Sequence, residues 1–247
     1  MLNHAAKRHI LGIIGGMGKS TSDKFIEKLA IRYSNMPVYY ILAQHHGLDP
    51  KKEPGYIKEG LYQEDFEKVV VHAAMHLVNH GVTHIALICN TAHQHENAIL
   101  SALKISNVKF LSIVNAVKNE VQLNNLQKIL IMATFNTTFK ICLYDSLPNI
   151  VKPCFEDQQI IDDIILKILK KEIIAQDIIM LINIALNYKT DGILFACTDL
   201  AVIIDEFKKQ LSLIDKPKVI LESTQALENM IHTIRIEHKD YEDKSVE

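Results

Sequence analysis

Two stretches, Ala86-Leu87-Ile88-Cys89-Asn90-Thr91 and Ile193-Leu194-Phe195-Ala196-Cys197-Thr198, decide the fold of this chain. Each is a short apolar run that ends on a cysteine and then a polar residue. An unbroken apolar run of this length suits a strand buried on both faces of a parallel sheet. Residues 84–89 and 192–197 are therefore read as strands, and runs at 10–15, 38–43, 109–114, 128–133 and 218–222 read the same way. Helical periodicity fills the intervals at 22–33, 64–79, 97–104, 157–171, 176–188 and 224–234. Strand–helix alternation of this kind makes the chain α/β.

The two cysteines lie 108 residues apart (89 to 197), about one small α/β domain. Each half also opens on an apolar strand that runs into a turn, at 10–16 and again at 128–134. The expected architecture is two pseudo-symmetric Rossmann-like domains, each a mainly parallel sheet flanked by helices. Residues 1–115 would form the first, joined by 211–247 as a returning C-terminal helix, and 116–210 the second. The strand ends that carry the cysteines would then meet in a cleft, the edge at which open α/β sheets bind ligands.

Composition narrows the function classes. The chain has 247 residues, 27 basic and 29 acidic side chains and a net charge of −2, with no basic run. That balance argues against a nucleic-acid surface or a polybasic membrane anchor. The apolar run at 10–14 is too short for a secretory core or a membrane span. The four cysteines at 89, 142, 154 and 197 contain no Cys-x-x-Cys pair, which predicts free thiols and a cytoplasmic setting.

A cysteine at a strand exit, just before a helix, faces the N–H groups and positive end of that helix. This position is expected to favour thiolate and to hold a carboxylate nearby. With an ordinary thiol pKa near ~8.5, a modest shift makes a base at neutral pH. Asn90, Thr91 and Thr198 add hydrogen-bonding groups beside the sulfurs. Cys142 and Cys154 lack this setting and read as structural.

Three blocks carry a family resemblance: Gly15-Gly16-Met17-Gly18, Cys89-Asn90-Thr91-Ala92-His93 and Cys197-Thr198-Asp199-Leu200. They resemble the signatures of the aspartate/glutamate racemases, cofactor-independent enzymes acting on small amino acids. Ala133-Thr134-Phe135-Asn136-Thr137 with Tyr144, and Glu222-Ser223-Thr224, match further family segments in order. The resemblance implies racemisation with no organic cofactor and no metal, Cys89 and Cys197 being the two catalytic bases. It implies substrate contacts from Met17, Asn90, Thr91, Ala92, Thr134, Thr198 and Lys167, with Asp199 and His93 in supporting roles. A homodimer is a further expectation of the family.

The sequence departs from the family pattern at three places. Lys19-Ser20-Thr21-Ser22 replaces the usual Pro-x-Ala-Thr, leaving Thr21 or Ser22 at the threonine position. Residues 45–60 hold no arginine for a distal carboxylate, only Lys51 and Lys52, which puts aspartate specificity in question. Asn136 stands at a turn glycine, where a positive φ would be tolerated by asparagine better than by most residues.

Competing readings are weaker. Maleate isomerases and decarboxylases of the same architecture use the same cysteine positions. The 15–21 segment also resembles the phosphate loop of ParA/MinD-type ATPases, but Ile14 occupies that family's lysine position. Histidines 72, 76, 80 and 84 recur every four residues as metal ligands can; Gly81 should end the helix before His84, leaving a half-exposed polar face.

Overall fold

The computed structural model describes residues 9–15, 19–33, 37–42, 63–147, 149–214 and 218–243. Strand β1 (Leu11–Gly15) is buried at every residue and lies between β2 (Val38–Leu42) and β3 (His84–Ile88). β4 (Lys109–Leu111) closes the first sheet, and all pairs are parallel. The second sheet repeats the plan. β5 (Ile129–Met132) lies between the two-residue β6 (Ile150–Val151) and β7 (Gly192–Phe195), and β8 (Val219–Glu222) pairs with β7. The strand orders β2-β1-β3-β4 and β6-β5-β7-β8 are the same order displaced by four strands. The internal echo is thus a structural repeat, with Cys89 leaving β3 and Cys197 leaving the equivalent β7.

The helices are α1 (Lys19–Arg32), α2 (Gln63–Asn79), α3 (Glu96–Leu103), α4 (Ile113–Leu123), α5 (Phe155–Lys170), α6 (Ala175–Asn187), α7 (Ile204–Ser212) and α8 (Ser223–Asp243). Side chains that alternate along each strand separate into two layers. Ile14, Ile85 and Leu87 pack outward with Phe66 and Val70 of α2 and Ile99 of α3. Leu130, Met132, Ile193 and Phe195 pack outward with α5, α6 and α7. The intervening residues Ile13, Ala86, Ile88, Ile129, Ile131 and Leu194 point the other way, into one core shared by both sheets. α1, α4 and α8 fill that middle layer through Leu29, Val117, Val121, Leu227 and Ile231.

This middle layer corrects two expectations. The 218–222 strand, placed with the first domain by sequence, belongs to the second sheet through its pairing with β7. α8 reaches back, where Arg32 donates to Glu228 at 2.7 Å and the Tyr33 hydroxyl meets His232 Nδ1 at 2.9 Å. The expected boundary at 115/116 falls inside α4, a helix of the shared core opened by Ser112, whose hydroxyl accepts from the Asn115 amide. Among the described residues, no helix is long and apolar enough to cross a membrane.

Candidate active site between two cysteine-bearing strand ends

Cys89 leaves β3 half-buried, and the chain turns at once into a short 3-10 helix, Thr91–His95. His93 fixes that turn. Its Nδ1 donates to the Cys89 carbonyl at 2.7 Å, and its Nε2 accepts the Ile113 amide at 3.0 Å. An Nε2 that accepts carries no proton, so the ring is neutral. Burial agrees, holding the imidazole down at about 4 against the pull of the Cys89 carbonyl. His93 therefore anchors the helix start and is no base.

Cys197 leaves β7 and caps the equivalent 3-10 helix, Thr198–Ile203, with 7% of its surface exposed. Its sulfur lies 3.9 Å from Asp199 Oδ2, and Asp199 Oδ1 accepts from Thr21 Oγ1 of α1 at 3.0 Å. Burial pushes the Cys197 thiol well up, and the Asp199 carboxylate and Cys89 push it the same way. The amides of Asp199 and Leu200 favour thiolate but are outweighed. This reverses the expectation of an acidified thiol at this strand exit: a desolvated sulfur beside a carboxylate stays protonated. Burial also raises the Asp199 carboxyl, against hydrogen bonds from Thr21 and the thiol. The electrostatic influence of Cys89 on Cys197 puts the two sulfurs within reach of one another's charge.

Asn90 is held from the opposite half. Its Oδ1 accepts a very short hydrogen bond from the Tyr144 hydroxyl, and its Nδ2 donates to Ser223 Oγ at 2.9 Å. Burial, with Glu222 and Cys89, keeps the Tyr144 phenol protonated and hence a donor. Among the described residues, the second Asn90 N–H has no acceptor. Thr91 Oγ1 meets Thr137 Oγ1 at 3.0 Å, and Thr134 Oγ1 donates to the same hydroxyl at 3.0 Å. Hydroxyls from the ends of β3 and β5 are thereby joined.

The other sequence-singled residues fall out variously. Thr198 is buried beside Cys197, whereas the Ala92 methyl joins the outer core of the first half. Lys167 does not join the cleft residues. It sits near the end of α5 and donates to Asp177 Oδ1 at 2.5 Å, the carboxylate that also accepts the Ile174 amide at the start of α6. The expectation that Lys167 holds a substrate carboxylate yields to this helix-to-helix clamp. Asn136 opens a wide right-handed turn, Asn136–Lys140, so its position requires no positive φ. The histidine stripe is broken as expected: α2 ends at Asn79, Gly81 takes φ +75°, and His84 is buried in β3 against Thr83 and His9. Met17, Lys51 and Lys52 lie outside the described residues.

Thr21 and Ser223 are the partners that sequence reading did not assign. Thr21, one of two residues that fit the motif threonine, donates to Asp199 Oδ1. Ser223 carried a signal of its own, a hydroxyl directly after the last strand.

No family model matches the chain. The broad specificity amino-acid racemase RacX of Bacillus subtilis (strain 168) is 25% identical over 233 residues, 87% of this chain and 96% of that one. The Picrophilus torridus aspartate racemase structure is 25% identical and superposes with a TM-score of 0.65 over 89% of this chain and 90% of its own. Both comparisons are with amino-acid racemases, and they support the resemblance to the aspartate/glutamate racemases. Within that family fold, a mutant of arylmalonate decarboxylase in its liganded form also matches, with a TM-score of 0.56 and 14% identity over 92% of each chain. The fold by itself thus leaves the reaction open, and the thiol pair has to select it.

Proposed function

We propose that this racemase relative inverts the α-carbon of an amino acid without an organic cofactor, using Cys89 and Cys197 as opposed bases. One sulfur, as thiolate, takes the α-proton; the other, as thiol, returns a proton to the opposite face. The α-carbon loses one proton to the first sulfur and gains one from the second on the opposite face, so atoms and charge balance, and the sulfurs exchange roles for the reverse reaction. The observation that carries this reading is the repeat itself: equivalent strands β3 and β7 deliver one cysteine each, and the two sulfurs feel each other's charge. Such a pair titrates jointly. Burial, with the Asp199 carboxylate beside the sulfur, keeps Cys197 protonated at rest, which supports its starting as the donor. The remaining Asn90 N–H and the Thr91–Thr137 hydroxyls are suited to the α-carboxylate.

Aspartate and glutamate are the substrates that the motif resemblance implies. Lys167 is taken up elsewhere, and a relative of broad specificity aligns over nearly its whole length, so neutral amino acids belong in the same test. Chiral chromatography after incubation with each L-amino acid decides it. Appearance of the D-enantiomer is the expected result. A chain that instead releases carbon dioxide from malonates, and inverts no amino acid, would overturn the reading.

A further inference from the structure

Among the described residues, the Asp199 carboxylate has two partners, one from each half. Its Oδ2 lies 3.9 Å from the Cys197 sulfur, and its Oδ1 accepts from Thr21 Oγ1 at 3.0 Å. Thr21 is buried in the first turn of α1, a helix of the middle layer. Burial favours the neutral form of a carboxyl group, so a carboxylate in this place needs a donor to stay ionised. A thiol at that distance is a weak donor, which leaves the threonine hydroxyl as the stronger of the two. Burial raises the Asp199 carboxyl, and the Thr21 bond is the largest influence that brings it down again. The charge so kept lies beside Cys197, where it adds to burial in holding the proton on sulfur.

We propose that Thr21 is a positioning residue for the Cys197 thiol: from the first half, its hydroxyl holds the Asp199 carboxylate ionised and aimed so that the sulfur keeps its proton. Thr21 acts through Asp199 and not on the sulfur itself. The inference rests on the two-cysteine reading, because it says how the sulfur of the second half comes to start as the donor. Thr21→Val keeps the branched shape and removes the hydroxyl. Asp199 then takes a proton more readily, the negative charge beside the sulfur is lost, and Cys197 ionises at lower pH. The titratable groups that bear on Cys197 are Asp199 and Cys89. Lys24 and Lys28 of α1, Asp205 and Lys208 of α7, Glu222 of β8 and Glu228 of α8 line a cavity that Thr21 also borders. All six stay in place in the variants below, so their field is common to every comparison.

Labelling of Cys197 by iodoacetamide across pH, followed by peptide mass mapping, reads the thiol directly and needs no racemase activity. Cys89→Ala chains are used, so that Cys197 no longer titrates jointly with the other sulfur. Thr21→Val should move the labelling midpoint down by roughly half a pH unit or more, about threefold in rate at a fixed pH below the midpoint. Thr21→Ser keeps the hydroxyl and should keep the midpoint. Asp199→Asn removes the charge and should lower the midpoint by itself, and Thr21→Val should then add nothing to it. A mere packing defect at Thr21 would still add its effect there. Where Thr21→Val does not fold, Thr21→Ala carries the same comparison. A midpoint that ignores the loss of the hydroxyl, one that Thr21→Ser moves as far, or a Thr21 effect that persists beside Asp199→Asn would each overturn the proposal. With both cysteines present, Thr21→Val should also shift the alkaline limb of kcat/KM to lower pH, because the donor sulfur loses its proton sooner. The expected labelling shift in a chain that inverts no amino acid would sink the two-cysteine reading alone. An active racemase whose Cys197 labelling ignores Thr21 would sink this inference alone.

Discussion

Cys89 and Cys197 leave equivalent strands of two like-ordered sheets, yet their surroundings differ. The first half fixes its strand exit with a neutral ring, His93, bonded to the Cys89 carbonyl and the Ile113 amide. Four residues beyond Cys197 stands Ala201, and the second half places a carboxylate, Asp199, beside the sulfur instead. Cys89 is half-buried; Cys197 is almost wholly buried and held protonated. The repeat dictates where the sulfurs sit, and the residues that follow each strand dictate how each one titrates. Two bases can thus be placed by symmetry and still begin the reaction in different protonation states.

The largest effect tests whether both halves are needed. Cys89→Ala and Cys197→Ala should each lower racemisation by about 10²-fold or more, the range for a lost acid or base. Cys142→Ala and Cys154→Ala should leave it nearly intact. Each single motif variant should still exchange the α-proton of one enantiomer with deuterated solvent, and the two variants should favour opposite enantiomers. Turnover near that of the parent chain in either motif variant would break the comparison at its root.

Much of this was legible in the residues. The apolar runs into Cys89 and Cys197 located the equivalent strands, because a buried parallel strand has no polar alternation to obscure it. The Cys89–His93 block marked the turn that leaves β3, where His93 closes on the Cys89 carbonyl. α4 was hidden because Ile113 and Val114 prolong the apolar run of β4, and only the Ser112 cap separates them. Partners far apart in sequence could not be seen at all: Tyr144 and Ser223 on Asn90, and Thr21 on Asp199, depend on how the halves meet. The family resemblance made Lys167 a substrate contact, but a place in a motif says nothing of a nearer carboxylate, here Asp177. The thiol shift was misjudged in sign because helix-start N–H groups are local, whereas burial is a property of the packed fold.

The next test asks how far the first half depends on the second. Tyr144→Phe removes the donor to Asn90 Oδ1 and leaves a buried carbonyl unpaired, which costs about 1–3 kcal/mol. Urea unfolding should show that loss, and kcat/KM should fall with it because Asn90 is freed to turn. An unchanged kcat/KM would mean that the Asn90 orientation does not matter to the reaction.

His93 sharpens the contrast through pH. Its folded-state pKa of about 4 lies below the ordinary value of 6.5, so the unfolded chain binds the extra proton first. Stability is then full above pH 6.5 and is lost as pH falls toward and through 4. Between pH 7 and pH 5 the loss from this one group is about 2 kcal/mol. Urea unfolding at the two pH values measures it, and the His93→Gln variant should show a smaller difference. If the difference persists undiminished in that variant, His93 is not the neutral anchor that separates the first half from the second.

The smallest expected effect concerns a device found in the second half. Between β6 and β7 the chain folds α5 and α6, and Lys167 joins them through Asp177. The lysine side chain is 43% exposed, so solvent screens the pair and its worth is that of a surface ion pair, up to about 1 kcal/mol. Asp177 also accepts the Ile174 amide and keeps that role without the lysine. Lys167→Ala should accordingly lower the urea midpoint slightly and leave KM unchanged for acidic and neutral amino acids alike. The two substrate classes make the measurement decisive, because a residue that reads a distal carboxylate acts on only one of them. A KM that rises for aspartate or glutamate and stays level for a neutral amino acid would show Lys167 leaving Asp177 to bind substrate. The second half would then supply both the protonated thiol and the charge that selects the side chain.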